Sequence, residues 1–316
     1  MPLEIDYHDL DVHRFMLRDE LRCESFRRAI EAAVAPGMAV LDLGAGTGLL
    51  AMFAARAGAR KVYAVERASI AVLAERIIRE NRLDDRIHVI HGEMDEADLP
   101  EPVDMIVSEW LGGYGVDENL LPVVARARDR WLKPDGIMIP GTVESWFAPA
   151  FDDALEADVT FWLNRPYGLE YSAIAVHERE RLHCCRSEIR MEHLCATPAL
   201  MWRVDPASIT VAEAAAGFAT EAVFTIHRTM RCNALAAWFR ADLGNGITLS
   251  NEPSPDYTHW GRWIFPLHES RRLRVGAALA ARFSLRPESR RATVAEWLVE
   301  AAGWVSTARD VTSLNE

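Results

Sequence analysis

Val40-Leu41-Asp42-Leu43-Gly44-Ala45-Gly46-Thr47-Gly48-Leu49-Leu50 decides the fold. An apolar run of strand length enters a turn with three glycines and leaves as a helix through Leu49, Leu50, Phe53 and Ala54. Glycine lets the chain turn tightly and come close to a ligand, and the first turn of the helix offers unpaired N–H groups. The pattern describes a site for a nucleotide-like cofactor. A dinucleotide fingerprint wants glycine or alanine one place beyond Gly48, and Leu49 stands there.

Outward from the turn, Lys61–Val65 reads as a second strand that ends in Glu66. A carboxylate at the C-terminal edge of such a strand can hold both hydroxyls of a ribose and would repel a ribose phosphate. The ligand is therefore read as an unphosphorylated adenosine, and S-adenosylmethionine fits. A solvated strand-end charge is the plainer alternative for Glu66. A third apolar strand, Ile87–Ile90, runs toward Gly92-Glu93-Met94-Asp95, where Met94 and Asp95 are candidate cofactor contacts, Asp95 as acceptor for the adenine amino group.

The strand Val103–Val107 ends in Ser108-Glu109-Trp110-Leu111-Gly112-Gly113-Tyr114-Gly115-Val116-Asp117-Glu118, a loop bracketed by two glutamates. Taken with the glycine turn, with Thr258-His259-Trp260 and with the stretch from His13 to Arg22, it resembles the protein arginine methyltransferases, nearly end to end. In that family the paired glutamates and the Thr-His-Trp loop, here about 140 residues apart, serve one site. The resemblance implies that Arg22 meets the cofactor's carboxylate, that Asp42, Gly44, Gly46 and Gly48 form its turn, and that Glu66 anchors its ribose. It further pairs His259 with Asp19, as a latch that holds the first helix over the cofactor, and sets Tyr7, Met16 and Trp260 near the substrate arginine. Two departures stand out. The hairpin is richer in glycine than in members that modify proteins, which predicts a looser pocket, and Leu3 replaces a frequent second tyrosine.

The chemistry accounts for two acids. A guanidinium stays protonated at physiological pH and its lone pairs are delocalised, so it is a poor nucleophile. Glu109 and Glu118, hydrogen-bonded to its planar fork, would aim one nitrogen at a sulfonium methyl and draw positive charge toward the others. Glu109, Glu118 or His259 could accept the proton lost afterward. The bland alternative makes Glu109 a loop cap and Glu118 a first-turn acid of the following helix.

The texture changes near residue 140. Before it, strands at 38–43, 61–66, 87–90 and 103–108 alternate with helices at 48–57, 69–82 and 119–131, a doubly wound α/β pattern. After it, Val143–Ala148, Ala222–Ile226, Ala234–Ala241 and Trp263–Phe265 read as strands of an antiparallel sheet or barrel. Leu132-Lys133-Pro134-Asp135-Gly136 reads as a turn, and Pro140-Gly141 marks the boundary, at a proline often cis in the resembled family. The organisation expected is a helical cap (1–30), a Rossmann-like S-adenosylmethionine domain (31–140) and a β-barrel substrate domain (141–316). The aromatic segment 151–172, with Phe161, Trp162 and Tyr167, matches the family's helical dimerisation arm, which predicts a homodimer; the alternative folds it on its own barrel.

A chain of 316 residues, half of them hydrophobic, can bury a substantial core. Its formal charge of -12 argues against nucleic acid and suits a cationic substrate. Only Lys61 and Lys133 are lysines among 35 basic residues, a bias of GC-rich bacterial genomes. The five cysteines are odd in number and lack C-x-x-C spacing, which predicts no disulfide framework, no metal and a reducing, cytoplasmic compartment. His183-Cys184-Cys185 with His193 and Cys195 reads better as alternating strand residues than as ligands. No signal peptide and no apolar run of membrane-spanning length is present, so no membrane partner is expected. The activity expected is methyl transfer to the guanidino group of arginine, free or in a peptide or protein. A silent dimeric scaffold of the same fold, or a methyltransferase for another nitrogen, remains as the alternative.

Overall fold

The computed structural model describes residues 4–314 apart from 6, 95, 185–187, 255, 257, 290 and 291. Leu3 and Asp95 lie outside the described residues. The chain begins with β1 (Glu4–Ile5), α1 (Leu10–Leu17) and α2 (Glu20–Ala33). An α/β unit follows: β2 (Ala39–Leu43), α3 (Leu49–Arg56), β3 (Lys61–Glu66), α4 (Ile70–Glu80), β4 (Ile87–His91), β5 (Val103–Val107), α5 (Leu121–Trp131) and β6 (Leu132–Ile139). Its strands are parallel in the order β4-β3-β2-β5-β6. The chain moves to one side of β2 and then returns to the other, so the order reverses between β2 and β5. Ligands of doubly wound sheets bind in the crevice above that reversal, at the carboxyl ends of the strands. Every residue of β2 is buried, as expected for a central parallel strand covered on both faces.

The expected turn at Leu132–Gly136 is instead the start of a strand, with Leu132 paired to Val103. The turn chemistry is used in a bulge: the register slips between Val103 and Met105, and Asp135 takes φ 60°. The helix expected from residue 119 begins at Leu121, because Asn119 sits at φ 55°, which a right-handed helix cannot use. The peptide bond Ile139–Pro140 at the boundary is cis.

The second half contains β7 (Thr142–Ala150), α6 (Asp153–Leu163), a 3-10 turn (Pro166–Gly168), α7 (Ser172–Glu178), β8 (Ala199–Val204), α8 (Val211–Ala216), β9 (Phe218–Thr225), β10 (Met230–Asp242), β11 (Thr248–Ser250), β12 (Trp263–Leu273), β13 (Ala278–Ser289), β14 (Ala292–Ala301) and β15 (Trp304–Leu314). One sheet runs β1-β15-β14-β13-β9; the other runs β11-β10-β7-β8, with β12 also paired to β10. β13 alternates buried and open residues, so one face points to the core. β10 is buried almost throughout because α6 and α7 cover its outer face through Leu155, Val159 and Ala175, packed with Ala234, Ala236 and Trp238. The arm is thus seated on its own barrel by its inner face, and runs on to Glu178. Its outer face leaves Phe161, Leu163, Tyr167, Leu169 and Val176 exposed. Trp162, expected with Phe161 and Tyr167 on a dimerisation arm, is partly buried against the barrel cluster and Tyr171. His193 lies in a 3-10 turn rather than on a strand, and the His183 ring bonds the Glu178 carbonyl at 2.6 Å.

Where the halves meet, the glycine-rich hairpin is tightly enclosed, which overturns the looser pocket expected for it. A Cβ on Gly113 would lie 1.6 Å from Trp263 Nε1. Tyr114 is fully buried edge-on to Trp263, Phe265 and Phe283. The carbonyl of Gly113 accepts from Asn251 at 2.7 Å, and that of Tyr114 from Ser145 at 2.6 Å. Gly113→Ala should therefore destabilise the protein by about 1–3 kcal/mol, the cost of overpacking a filled core, seen as a lower melting temperature in a thermal scan. An unchanged melting temperature would mean that Trp263 swings aside freely.

Candidate active site

A cleft open to solvent lies over the carboxyl ends of β2, β3 and β5 and under α1 and α2. Its floor is the glycine turn, where Gly44, Gly46 and Gly48 take φ of 78°, 53° and 81°. These are left-handed values that a side chain disfavours. Gly44, Gly46, Glu66, Met94, Arg22, Tyr7, Met16 and Glu109 line the cleft, joining eight of the residues read from sequence.

Glu66 stands at the end of β3 with its carboxylate fixed by the main chain. One oxygen accepts from the Gly46 N–H at 2.8 Å and the other from the Ala68 N–H at 2.7 Å. It therefore braces the turn and faces the cleft at once, and its remaining lone pairs suit the two hydroxyls of a ribose. Asp42 and Gly48 do not line the cleft. Asp42 lies beneath the turn and accepts from the Ala51 N–H at 2.8 Å, satisfying an open donor at the start of α3. Its assignment as a direct cofactor contact is corrected to a support for the turn. Burial pushes its carboxyl up to about 7, with the Glu66 charge adding to the effect.

Asp19 caps α2, where it accepts from the Arg22 N–H at 2.9 Å, and it is 0% exposed. Its other oxygen takes both the main-chain N–H and Nδ1 of His259 at 2.8 Å. Burial would raise this carboxyl, but the bonds from His259 and Arg22 outweigh it and hold it below the usual range. Asp19 is thus a charged acceptor, which places a proton on His259 Nδ1. The latch expected between these residues is present, although His259 itself does not line the cleft. Trp260 does not line it either: its indole N–H is used on the Leu111 carbonyl at 2.6 Å, and its ring packs on Phe239 and His259. Its place is behind the hairpin.

Arg22 Nε and Nη2 both reach Glu109 Oε2 at 3.0 Å, while Glu109 Oε1 accepts from the Leu111 N–H at 2.9 Å. In the structure the guanidinium expected on a cofactor carboxylate rests on the first hairpin glutamate, with Nη1 directed toward the Cys23 sulfur. Glu118 does not line the cleft but is reached from it by Tyr7, whose hydroxyl donates to Glu118 Oε2 at 3.3 Å. Burial, then Glu109, then Asp117 push the Glu118 carboxyl well above its ordinary value. Burial and the same two glutamates raise the Tyr7 phenol. His13 went unread as a site residue. Its Nε2 donates to the Tyr7 carbonyl at 2.9 Å, and its ring lies against Gly46, so it ties α1 down over the turn. Its only signal in the sequence is its place at the head of the quoted N-terminal stretch.

The geometry has relatives. A sequence profile described as the arginine methyltransferase oligomerization subdomain matches residues 144–299, and one described as ribosomal protein L11 methyltransferase (PrmA) matches residues 27–139. Protein arginine N-methyltransferase 6 of Xenopus laevis is 31% identical over 293 residues, covering 89% of this chain and 85% of that protein. A chain of the Trypanosoma brucei PRMT1 enzyme-prozyme heterotetrameric complex with AdoHcy superposes with a TM-score of 0.86 at 28% identity, covering 98% of this chain and 99% of the other. Protein arginine methyltransferase 10 of Arabidopsis thaliana does so with a TM-score of 0.81 at 27% identity, covering 96% and 98%.

Two substitutions separate contact from support. Glu66→Ala should weaken S-adenosylmethionine binding by at least about 1 kcal/mol, the scale of a lost charge-assisted bond, measured by calorimetry. Asp42→Asn keeps the acceptor for Ala51 and should leave that affinity within about twofold, well inside one bond's energy. It should also change stability with pH. The folded Asp42 holds its proton to about 7 and an unfolded one only to 3.8, so wild type loses stability as pH rises through that window. Asp42→Asn should melt above wild type at pH 8 and not at pH 4; parallel pH profiles would refute the assignment.

Proposed function

The chain belongs to the protein arginine N-methyltransferase family, and from that footing we propose that its acceptor is an arginine carried in a peptide or protein, held by Glu109 and Glu118. It is an S-adenosylmethionine-dependent arginine methyltransferase. The observation that carries the residue assignment is the pair of buried carboxylates at the two ends of one hairpin, one on the cofactor cleft and the other bonded to a tyrosine that lines it. The relatives' names speak for protein arginine, and the tight hairpin removes the reason to favour a small metabolite.

The residues present fit the cofactor: a left-handed glycine turn, a ribose-facing carboxylate at Glu66, a guanidinium at Arg22 and the thioether of Met94 form one cleft. When bound, S-adenosylmethionine supplies a methyl group on a cationic sulfur. The chain's own part is to aim the nucleophile and remove its proton. Glu109 Oε1 is fixed by the Leu111 N–H, so its orientation is set before substrate arrives. Burial raises the proton affinity of Glu118, and an arriving guanidinium, which supplies the countercharge the carboxylate lacks, drives any proton it holds out to solvent. After transfer, Glu118 rather than His259 is the acceptor by place: it meets the guanidinium, whereas His259 is tied to Asp19 outside the cleft. His259, with Nδ1 on Asp19, keeps the cap closed and excludes water. All three of Glu109, Glu118 and His259 are in place, which disfavours the silent scaffold.

We infer a homodimer formed through the arm. Phe161, Leu163, Tyr167, Leu169 and Val176 form an apolar outer face that the chain's own barrel leaves open, and the matched profile describes an oligomerization subdomain. The lysine-poor composition supports a bacterial source, whereas the relatives named above come from a frog, a trypanosome and a plant and lend that source no support.

Glu109→Gln and Glu118→Gln should each retain S-adenosylhomocysteine binding and lose methyl transfer by about a hundredfold or more, as for a removed preorganised charge. Near-normal turnover in either would sink the clamp. In wild type, kcat/KM for an arginine peptide should rise with pH as Glu118 ionises, since the protonated acid accepts poorly from a guanidinium. A labelled-methyl assay offering free arginine, arginine peptides and whole lysate, read by mass spectrometry, tests the acceptor; product from free arginine alone would exclude the protein reading. Phe161→Glu with Tyr167→Ser should give monomers by light scattering.

A further inference from the structure

Asp117 is a buried carboxylate for which the clamp of Glu109 and Glu118 has no use. It is 1% exposed and stands immediately before Glu118. Both of its oxygens are held within its own hairpin, Oδ2 by the Gly113 N–H and Oδ1 by the Tyr114 N–H, each at 3.0 Å. The carboxylate also fills the space beside residue 112, where a Cβ on Gly112 would lie 2.4 Å from it. The Asp117 carbonyl accepts from Thr293 Oγ1 on β14 at 2.7 Å. The hairpin is therefore closed from inside by Asp117 and tied from outside by Thr293.

No cation answers this carboxylate among the described residues. The side chains that anchor or pack on residues 112–117 include Ser145 from β7, Asn251 after β11, Trp263 from β12 and Thr293, all uncharged. The titratable groups facing Glu118 are Asp117, Glu109 and Tyr7, and Arg22 lies beyond on Glu109.

We propose that Asp117 is the positioning residue for Glu118: its carboxylate clasps the hairpin that presents the glutamate, and its negative charge, set beside Glu118 with no cation between them, makes that glutamate demand a cationic partner. The proposal rests on Glu118 being a guanidinium acceptor. Burial pushes the Asp117 carboxyl up to about 6, so its charge is largely present at neutral pH. There it is one of the causes, after burial and Glu109, that raise Glu118. Asparagine at 117 would lose the charge and turn an amide nitrogen toward one of the two N–H groups. The clasp would be half kept and the field removed.

Asp117→Asn and Thr293→Ala, compared in the full-length enzyme, divide these roles. Neither residue lines the cofactor cleft, so both variants should bind S-adenosylhomocysteine as wild type does. Thr293→Ala loosens the hairpin without changing its charge and should lower kcat with the acid limb of kcat/KM unmoved. Asp117→Asn should lower kcat by about tenfold or more and carry that limb to lower pH by about half a unit or more. Where turnover is too low for a profile, calorimetry in two buffers reads the protons released when an arginine peptide binds the S-adenosylhomocysteine complex at neutral pH. Fewer protons from Asp117→Asn than from wild type supports the proposal. An unmoved acid limb, or equal proton release, overturns it. Full activity in Glu118→Gln would instead remove the premise about Glu118.

Discussion

The Asp19 carboxylate takes hydrogen bonds from the main-chain N–H of Arg22 in its own helix and from both the main chain and ring of His259, 240 residues away. Much of the site hangs from that point. By capping α2 it fixes the start of the helix that carries Arg22 to Glu109. By holding His259 it fixes the loop whose next residue, Trp260, bonds the carbonyl of Leu111. Leu111 in turn donates to Glu109 Oε1. A cap helix, a barrel loop and a catalytic hairpin are thereby set relative to one another through one carboxylate that water does not reach.

The acids around the cleft share a mode of support. Glu66 is held by Gly46 and Ala68, Asp42 by Ala51, Asp117 by Gly113 and Tyr114, and Glu109 in part by Leu111, in each case by main-chain N–H groups. Main-chain donors orient a carboxylate without cancelling its charge. Arg22 is the one cation bonded among these acids in the described residues, and it serves Glu109. The acids beside the cleft make a suitable setting for two ligands that are both cations, a sulfonium and a guanidinium. Among the described residues Glu118 differs from the others in having a phenol as its hydrogen-bond partner, and burial with the charges of Glu109 and Asp117 raises its proton affinity.

The α/β half was legible because its signals are local: an apolar strand, three glycines and a terminal acid are each read within a few residues. Glu66, Glu109 and Asp19 with His259 came from the same kind of motif; the first two line the cleft and the last two are bonded to each other. The errors have physical causes. Asp42 looked like a ligand because it adjoins the glycines, yet a side chain at that point of β2 faces the start of α3. Trp260 looked like a substrate wall because the sequence does not show where an indole N–H finds its acceptor. The glycines of the hairpin suggested slack. They are required by contact with Trp263 on β12 and with the carboxylate of Asp117, and the partner strand is 150 residues away. Long-range strands such as β13 to β15 were missed because alternating short side chains on a two-sided barrel sheet carry a weak periodic signal.

Consider last the pairing of β1 with β15, in which Glu4 lies beside Ser313 and Ile5 beside Leu314 in parallel. The first strand is an added edge of the barrel sheet, and two residues after it Tyr7 enters the cleft. An edge strand is the easiest part of a sheet to peel away, and here peeling β1 from β15 would pull on Tyr7 and so on its bond to Glu118, which makes the rim of the barrel sheet a mechanical part of the catalytic cleft.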